Sequence, residues 1–293
     1  MNLLSSLEKF GFSMEDEAPL DITKEPGKDK PQDMTESEKE PEKEPEEKDF
    51  LVRKHISCPV CSKRFDTLTV RGTRAKRLEP DYDLRPRFAY IDTLKYDVTL
   101  CPQCGYAAMN RFFSPLSDAQ VGRIKKALDG KFKPQDNITP DTYSLQESID
   151  RYKLALVSSM AKIVKLSEKS YICLKIAWLI RDEIKEVKAL STDEAIASAL
   201  QQEYNGFYKQ AYNGFLQCMS KETPPFCGIN ASTLTFMIAN MAMYFRDYAV
   251  ASKYVYELIG SKTASPKVKD RCLTLKDQIA AKMREEAKSA KKA

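Results

Sequence analysis

Two Cys-Pro-x-Cys motifs are the part of this sequence best suited to chemistry: Cys58-Pro59-Val60-Cys61 and Cys101-Pro102-Gln103-Cys104. Together they supply four thiolates, which is the ligand number of a closed tetrahedral zinc site. In each motif a tight turn lets both sulfurs face one ion, and the proline restricts the backbone of that turn. Gly105 follows the second motif, where such a turn often requires a positive φ. We therefore predict a structural Zn²⁺ ion bound by Cys58, Cys61, Cys101 and Cys104.

Other uses of these thiols are weaker interpretations. His55 is the only histidine of the chain and could replace one sulfur, but four ligands are already present without it. A redox-active Cys-x-x-Cys pair would instead make the protein a thiol or zinc redox sensor. Two such pairs without a thioredoxin-like βαβ context argue against that alternative. The remaining cysteines follow no framework spacing and are predicted to be free thiols: Cys173, Cys218, Cys227 and Cys272.

The sequence contains few residues in an arrangement that is typical of an enzyme active site. A zinc ion held by four sulfurs has no open position for an activated water, which argues against metal-assisted hydrolysis. Any Ser/His or Cys/His nucleophile would have to use His55, beside the metal. The segment Gly260-Ser261-Lys262-Thr263 is similar to the end of a phosphate-binding loop, but no strand precedes it, so a helix C-terminal turn is favoured. We predict that the protein is not an enzyme.

Charge is divided unevenly along the 293 residues, although the net charge is only +5. Residues 15–49 contain fifteen acidic residues and six lysines, a net charge of −9, so the chain from Phe50 onward carries +14. Repeated Glu, Lys and Pro leave almost no apolar surface, which predicts a disordered acidic tether over residues 13–49. Residues 1–12 place leucines and a phenylalanine at helical spacing, which predicts a short amphipathic helix that would need a docking surface.

Two features bear on location. No apolar run approaches the ~18 residues that a membrane span needs. The first residues lack the basic start and unbroken apolar stretch of a secretory signal peptide. Together with free thiols and paired cysteines, these features predict a cytoplasmic protein without membrane contact.

Short strands are the elements that must position the cysteines. Residues 65–70 and 95–100 alternate and are rich in β-forming residues, so both are predicted strands. Residues 62–100 separate the two motifs, more than the ~15–20 residues of a compact four-cysteine site. The excess, residues 71–92, is predicted to wrap over the site as an ordered loop. We therefore predict a zinc-ribbon-like β module over residues 50–113 with a long basic insert, residues 62–100.

Beyond Pro115 the periodicity becomes helical. Two capping boxes, Ser117-Asp118-Ala119-Gln120 and Ser144-Leu145-Gln146-Glu147, open helices. The second helix is expected to reach Leu166, with an apolar stripe of Leu145, Ile149, Tyr152, Leu156, Met160 and Ile163. Further helices are predicted over residues 171–187, 192–219, 231–245 and 248–259, and after Pro266. The predicted fold class is mainly α, an N-terminal zinc-ribbon-like β module followed by a tetratricopeptide-like α-helical array over residues 114–293.

One segment of this array is similar to a tetratricopeptide unit. Residues 232–265 have the ~34-residue period, with small Ala239 and Ala242 for close helix packing and Arg246-Asp247-Tyr248 in the turn. A degenerate earlier unit uses Ala177 as its small residue. An unrelated helical bundle is the alternative.

From Phe50 to the C-terminus, the chain resembles a bacterial family of unknown function. That family joins a zinc-ribbon-like module to tetratricopeptide-like helices, so the resemblance implies a fold and a metal but no established activity. It does not cover the acidic tether. The matching residues are both cysteine motifs with Gly105-Tyr106-Ala107-Ala108, Phe65, Val70-Arg71, Asp83-Leu84-Arg85-Pro86, Tyr96-Asp97-Val98, Ala177-Trp178-Leu179 with Arg181, and Phe245-Arg246-Asp247-Tyr248.

A concave helical face is the first candidate binding surface. Paired helices that stack in this way suit an extended or helical peptide. Half of the residues assigned to this face could instead be core, because both helices are apolar all round. The residues that the two aligned units point towards it are Tyr171, Leu174, Trp178, Arg181, Phe236, Asn240 and Tyr244.

The basic insert is the second candidate surface. Residues 53–88 hold ten arginines and lysines against four acidic residues, and interleaved aromatic rings could stack on bases. Alternatively, Arg71, Arg85 and Asp83 form internal ion pairs that hold the insert against the metal site. The candidate nucleic-acid contacts are Arg71, Arg74, Lys76, Arg77 and Arg87.

The favoured interpretation is a non-enzymatic, zinc-stabilised adaptor that binds another protein or peptide through the helical groove. Association with nucleic acid through the basic insert is the alternative, and redox sensing is the weaker one. The sequence identifies neither the partner nor the oligomeric state.

Overall fold

Two small antiparallel sheets carry the two cysteine motifs. Strand β1 (Leu51–Ser57) pairs with β2 (Arg64–Val70), and β3 (Val98–Leu100) pairs with β4 (Ala107–Met109). The strand predicted over residues 65–70 is confirmed. The one predicted over residues 95–100 is confirmed only in its second half, because its first half belongs to a 3-10 helix, Thr93–Tyr96. Each motif therefore lies at the turn of a hairpin.

The structure is a computed structural model that describes residues 44–190 and 194–290. The predicted helix over residues 1–12 and most of the predicted tether lie outside the described residues. The last residues of that tether range are ordered, because Glu47–Phe50 form a 3-10 helix and Phe50 is buried. The Glu47 carboxylate accepts hydrogen bonds from Lys95 Nζ at 2.8 Å and from the Tyr96 hydroxyl at 2.9 Å.

Seven α-helices follow within the described residues, and the fold is mainly α with an N-terminal β region, as predicted. The Ser117 capping box is present, and the Ser144 hydroxyl accepts a hydrogen bond from Glu147 N. The helices are α1 (Asp118–Leu128), α2 (Leu145–Lys162), α3 (Leu166–Leu190), α4 (Glu194–Lys221), α5 (Ala231–Tyr244), α6 (Tyr248–Gly260) and α7 (Pro266–Ala290).

Helix α2 differs from the prediction at its C-terminal end. It stops at Lys162 because Ile163 adopts a left-handed conformation, φ 58°. Met160 and Ile163 are 61% and 71% exposed, so the predicted apolar stripe is wrong at these two positions. The buried face of the helix includes Ile149, Tyr152 and small serines instead.

Helix α3 is the centre of the helical region. Its residues from Ile172 to Ile180 are all buried, and it packs between α2 and α4. Helices α5 and α6 pack against each other with residues 245–247 between them. The predicted turn Arg246-Asp247-Tyr248 overlaps this connection, but Tyr248 already begins α6. The tetratricopeptide assignment itself stays a prediction.

The β region and the helices share one core. Val98, Ala107 and Met109 of the second hairpin belong to the same buried cluster as Tyr152 of α2 and Trp178 of α3. From Pro45 onward the chain is a single compact unit. The two cysteine motifs are therefore positioned by the helical region as well as by their own hairpins.

Candidate metal centre and binding surfaces

The four predicted cysteines come together at one point. The sulfur atoms of Cys58, Cys61, Cys101 and Cys104 all lie within 4.8 Å of one another. The Cys58–Cys104 and Cys61–Cys101 sulfur pairs are each 3.6 Å apart. Metal–sulfur bonds of ~2.3 Å in a tetrahedron put neighbouring sulfurs about 3.8 Å apart. The cluster therefore has the dimensions of a four-thiolate metal site.

The two motifs build this cluster with nearly the same backbone turn. Cys58 N donates to Lys63 O and Cys101 N donates to Tyr106 O, both at 2.9 Å. Each turn contains a left-handed residue, Ser62 at φ 60° and Gly105 at φ 74°. The positive φ predicted at Gly105 is confirmed. Because a Cβ there would lie 2.4 Å from the Phe132 ring, the close approach also requires glycine.

The thiols influence one another strongly. Hydrogen bonds from Cys101 and Cys104 stabilise the Cys58 thiolate and lower its pKa to about 4. The pKa of Cys104 is raised, mainly by its contact with the Cys101 thiol and next by its contact with Cys58, because a second negative charge in the cluster is unfavourable. A bound cation would relieve this repulsion and allow all four sulfurs to ionise.

His55 is not part of the cluster. Its Nδ1 atom lies 2.5 Å from Asp66 Oδ1, across the β1–β2 pair, and its side chain is 81% exposed. The four cysteines outside the motifs are free thiols, as predicted.

The basic insert is held against helix α3 by charged side chains that we call the arginine–aspartate network. Arg85 is fully buried, and its guanidinium forms ion pairs of 2.7 Å with Asp92 and Asp182. It also donates a hydrogen bond to the carbonyl oxygen of Trp178. The network consists of Asp81, Asp83, Arg85, Arg87, Asp92, Arg181 and Asp182.

These pairs change the ionisation of the network's carboxyl groups. Burial disfavours the charge of Asp182, but the hydrogen bond from Arg87 and the charge of Arg85 outweigh it and lower the pKa of Asp182 to about 2. For Asp81, burial is likewise outweighed by Arg87, and the pKa falls. Asp81 and Asp182 are therefore ionised at neutral pH. Internal ion pairing is confirmed for Arg85 and Asp83 but not for Arg71, whose Nε donates to Leu51 O at 3.1 Å. The prediction that these pairs hold the insert against the metal site is wrong, because their partners on other elements, Arg181 and Asp182, belong to helix α3.

A family model described as "Uncharacterized protein conserved in bacteria (DUF2225)" matches residues 51–279. The match begins with β1 and ends within α7, so it covers both motifs, the insert and the helices. The chain belongs to this family. No curated protein and no solved structure matches the chain. Among the described residues of this DUF2225 chain, no helix is both long and apolar enough to cross a membrane.

The concave face predicted for partner binding is largely filled by the chain's own insert. Leu174, Trp178 and Phe236 are at most 1% exposed, so these three are core residues and their predicted role is wrong. The Trp178 Nε1 atom donates to Asp83 Oδ2 at 2.7 Å, and the Tyr82 ring packs edge-on against Phe236. The sequence pattern gave no sign that Tyr82 and Asp83, more than ninety positions earlier in the chain, would occupy this face.

Of the other four predicted partner-binding residues, Arg181, Asn240 and Tyr244 lie around the part of this face that remains open, whereas Tyr171 lines a separate cleft. Arg181 is in the arginine–aspartate network, where it binds Asp81 and Asp83. Tyr171 is half-buried beside the insert. Asn240 and Tyr244 line two adjoining cavities of about 580 and 500 Å³ that also share Tyr82.

We call these two cavities the tyrosine groove. The rings of Tyr204 and Tyr208 stack at 5.2 Å, and Tyr244 meets both edge-on. Sequence reasoning missed both α4 tyrosines, although their spacing of four placed them on one helical face. The groove is lined by Asp81, Tyr82, Asp83, Arg181, Lys185, Tyr204, Tyr208, Asn240, Met243, Tyr244, Arg246 and Tyr248, with residues of α7 at one end.

Two buried hydrogen-bond donors of the groove lack partners in the described structure. The Nδ2 atom of Asn240 and the Nε atom of Arg181 are buried without a hydrogen bond in the described structure. The side chains of Tyr204 and Tyr208, residues that are 6% and 3% exposed, lie in the same groove. Since buried donors are normally paired, the groove has unmet hydrogen-bonding capacity.

Of the predicted nucleic-acid contacts, Arg87 belongs to the arginine–aspartate network. Its guanidinium is engaged by Asp81 and Asp182. Arg71, Arg74, Lys76 and Arg77 are exposed.

Proposed function

We propose that this DUF2225 protein is a non-enzymatic adaptor, stabilised by structural Zn²⁺, that binds a peptide segment of a partner protein in the tyrosine groove. The buried donors of Asn240 and Arg181, which have no hydrogen-bond partner in the described structure and lie beside the stacked rings of Tyr204 and Tyr208, are the observation that carries this proposal. Leaving a buried donor unpaired costs about 1–3 kcal/mol. A ligand that supplies acceptors recovers that free energy on binding.

The type of acceptor follows from the charges around it. Asp81 and Asp83 already occupy the Arg181 guanidinium, so an incoming carboxylate would face two negative charges. A neutral acceptor, the main-chain carbonyl, meets no such repulsion. Tyrosine rings add large, rigid contact surfaces at low entropic cost. An extended peptide combines repeated carbonyls with side chains that pack on such rings.

Zinc is the metal that the donor set favours. Four thiolates in a tetrahedral arrangement suit Zn²⁺ and leave no open coordination position, which favours a structural rather than a catalytic ion. Its binding would add on the order of 10 kcal/mol to folding of the hairpins. The insert that supplies Tyr82 to the groove lies between the two motifs, so the metal would also stabilise part of the binding surface. Free cysteines favour the cytoplasm as the place of action.

Selection from a displayed library of random peptides tests the proposal. Full-length, zinc-loaded protein is the target, and Kd values of selected peptides are measured by fluorescence polarisation. Tyr244→Ala should weaken binding at least tenfold, since it removes a central aromatic contact. Tyr256→Ala is the matched control, because Tyr256 is an exposed tyrosine of α6 outside the groove, and it should change Kd less than twofold.

Asn240→Ala is a second variant that does not rely on Tyr244, whose hydroxyl also binds Asn205. The Asn240 Nδ2 atom has no partner in the described structure, so its removal should spare folding yet weaken the selected peptides. Circular dichroism checks that each variant is folded. Failure to select any peptide, or equal binding by the Tyr244→Ala and Tyr256→Ala variants, would refute the proposed function.

A further inference from the structure

A second cleft, of about 570 Å³, lies where β1, the basic insert and helix α3 meet. It is separate from the tyrosine groove, with which it shares no residue. We call it the basic cleft. The residues that matter here are Lys54, Arg77, Phe88, Asp97, Tyr171 and Lys175.

The basic cleft carries excess positive charge. Lys175 is 5% exposed and forms an ion pair with Asp97. Among the described residues that line the cleft, Asp97 is the one acidic side chain. Lys54 and Arg77 are exposed at the cleft, and in the parts of the chain that are described neither side chain has an ion-pair partner. Two cations without an ion-pair partner therefore lie beside the cavity, which favours an anionic ligand.

Aromatic rings lie beside these cations. Phe88 and Arg77 face each other through an isolated antiparallel β-bridge, which fixes their backbones side by side. Tyr171 is half-buried, and the Lys175 Nζ atom lies 4.4 Å from the centre of its ring. The cleft volume falls in the ~300–1,000 Å³ range of small-molecule sites. Planar groups stack on such rings, and guanidinium groups bind phosphate oxygens.

We propose that the basic cleft binds a nucleotide, with its phosphate at Lys54 and Arg77 and its base against Phe88 and Tyr171. The same chemistry is presented by a free nucleotide and by one unit of a single-stranded nucleic acid. The proposal does not depend on peptide binding in the tyrosine groove. In this proposal Arg77, which lies in the exposed part of the basic insert, is the central contact with the ligand.

Calorimetric titration of full-length, zinc-loaded protein with AMP tests this site. Arg77→Gln should raise the Kd at least tenfold, since it removes a charge-assisted contact to phosphate. Lys76→Gln is the matched control: it removes the same charge one residue away, from an exposed side chain outside the cleft lining, and should change Kd less than twofold. Tyr171→Leu should weaken AMP without weakening inorganic phosphate.

Two further titrations distinguish the source of the ligand. A twelve-nucleotide oligouridylate that binds far more tightly than AMP, with affinity falling steeply as salt rises, identifies a nucleic-acid strand. Equal or weaker binding of the oligonucleotide identifies a free nucleotide. The proposal is overturned if neither probe binds at millimolar concentration, if adenosine binds as well as AMP, or if Arg77→Gln and Lys76→Gln have equal effects.

Discussion

Replacing Arg85 by methionine should lower the free energy of unfolding by about 3–5 kcal/mol, the usual cost of removing one partner from a buried ion pair. Methionine keeps most of the side-chain volume, so the loss reports on charge rather than on a cavity. Arg85 is fully buried between the carboxylates of Asp92 and Asp182 and the carbonyl of Trp178. All three groups lose a charged donor at once.

The structure places the loss nearer to 3 than to 5 kcal/mol. Asp182 keeps its ion pairs with Arg87 and Lys185 after the substitution. Asp92 keeps the hydrogen bond that its side chain accepts from Leu94 N at 3.0 Å. Neither carboxylate is left without a partner, although both become less well compensated.

Urea unfolding followed by tryptophan fluorescence measures this change directly. Trp178 is the only tryptophan, and its indole donates to Asp83 within the arginine–aspartate network. Arg77→Gln is the control, because that exposed arginine has no ion pair in the described structure and should cost at most about 0.5 kcal/mol. A loss below 1 kcal/mol for Arg85→Met, or an equal loss for the control, would show that the network does not hold the insert to α3.

The metal, helix packing and acid stability give three further predictions. Purified protein should contain one zinc ion per chain by elemental analysis, and Cys101→Ser should abolish it and lower the melting temperature. Gly214→Ala should destabilise by about 1–3 kcal/mol because its Cβ would lie 2.1 Å from the Ser170 hydroxyl, whereas Gly206→Ala on the same helix, with open space, should stabilise by up to about 1 kcal/mol. The depressed pKa values of Asp182 and Asp81 mean that their stabilisation is present above pH ~4 and is lost as pH falls towards 2. The urea midpoint should therefore drop across that window, and less steeply in Asp182→Asn.

Each of these three predictions has an outcome that would contradict it. Full metal content in the Cys101→Ser variant would mean that the four sulfurs do not form one site. Equal stability changes at the two glycines would mean that α3 and α4 do not pack as closely as described. An identical acid profile in Asp182→Asn would assign the acid sensitivity to other carboxyl groups.

Features set by short-range chemistry could be predicted from the sequence. The cysteine spacing predicted the metal cluster, Gly105 predicted a left-handed residue, and Ser117 predicted a helix start. The turn residue and the cap act over a few positions, and within each cysteine motif the two thiols are three positions apart. Such patterns are legible because backbone geometry and side-chain type act locally.

Features set by long-range packing could not be predicted from the sequence. Apolar periodicity shows that Trp178 and Phe236 lie on a helix face, but it does not show whether solvent, a partner or the chain itself covers that face. Here Tyr82 and Asp83 cover it, from a segment with no regular pattern. Met160 and Ile163 fit the helical stripe of α2, yet they lie near its end, where no other element buries them.

The shared core has a practical consequence for dissecting the molecule. Cutting the chain after residue 113 would expose Val98, Ala107 and Met109 on one fragment and the facing surface of Tyr152 on the other. Both fragments would then expose apolar surface to solvent and aggregate rather than fold as independent domains. Shortened versions for crystallisation or interaction screens should therefore start just before Glu47 and retain the whole stretch through the last helix.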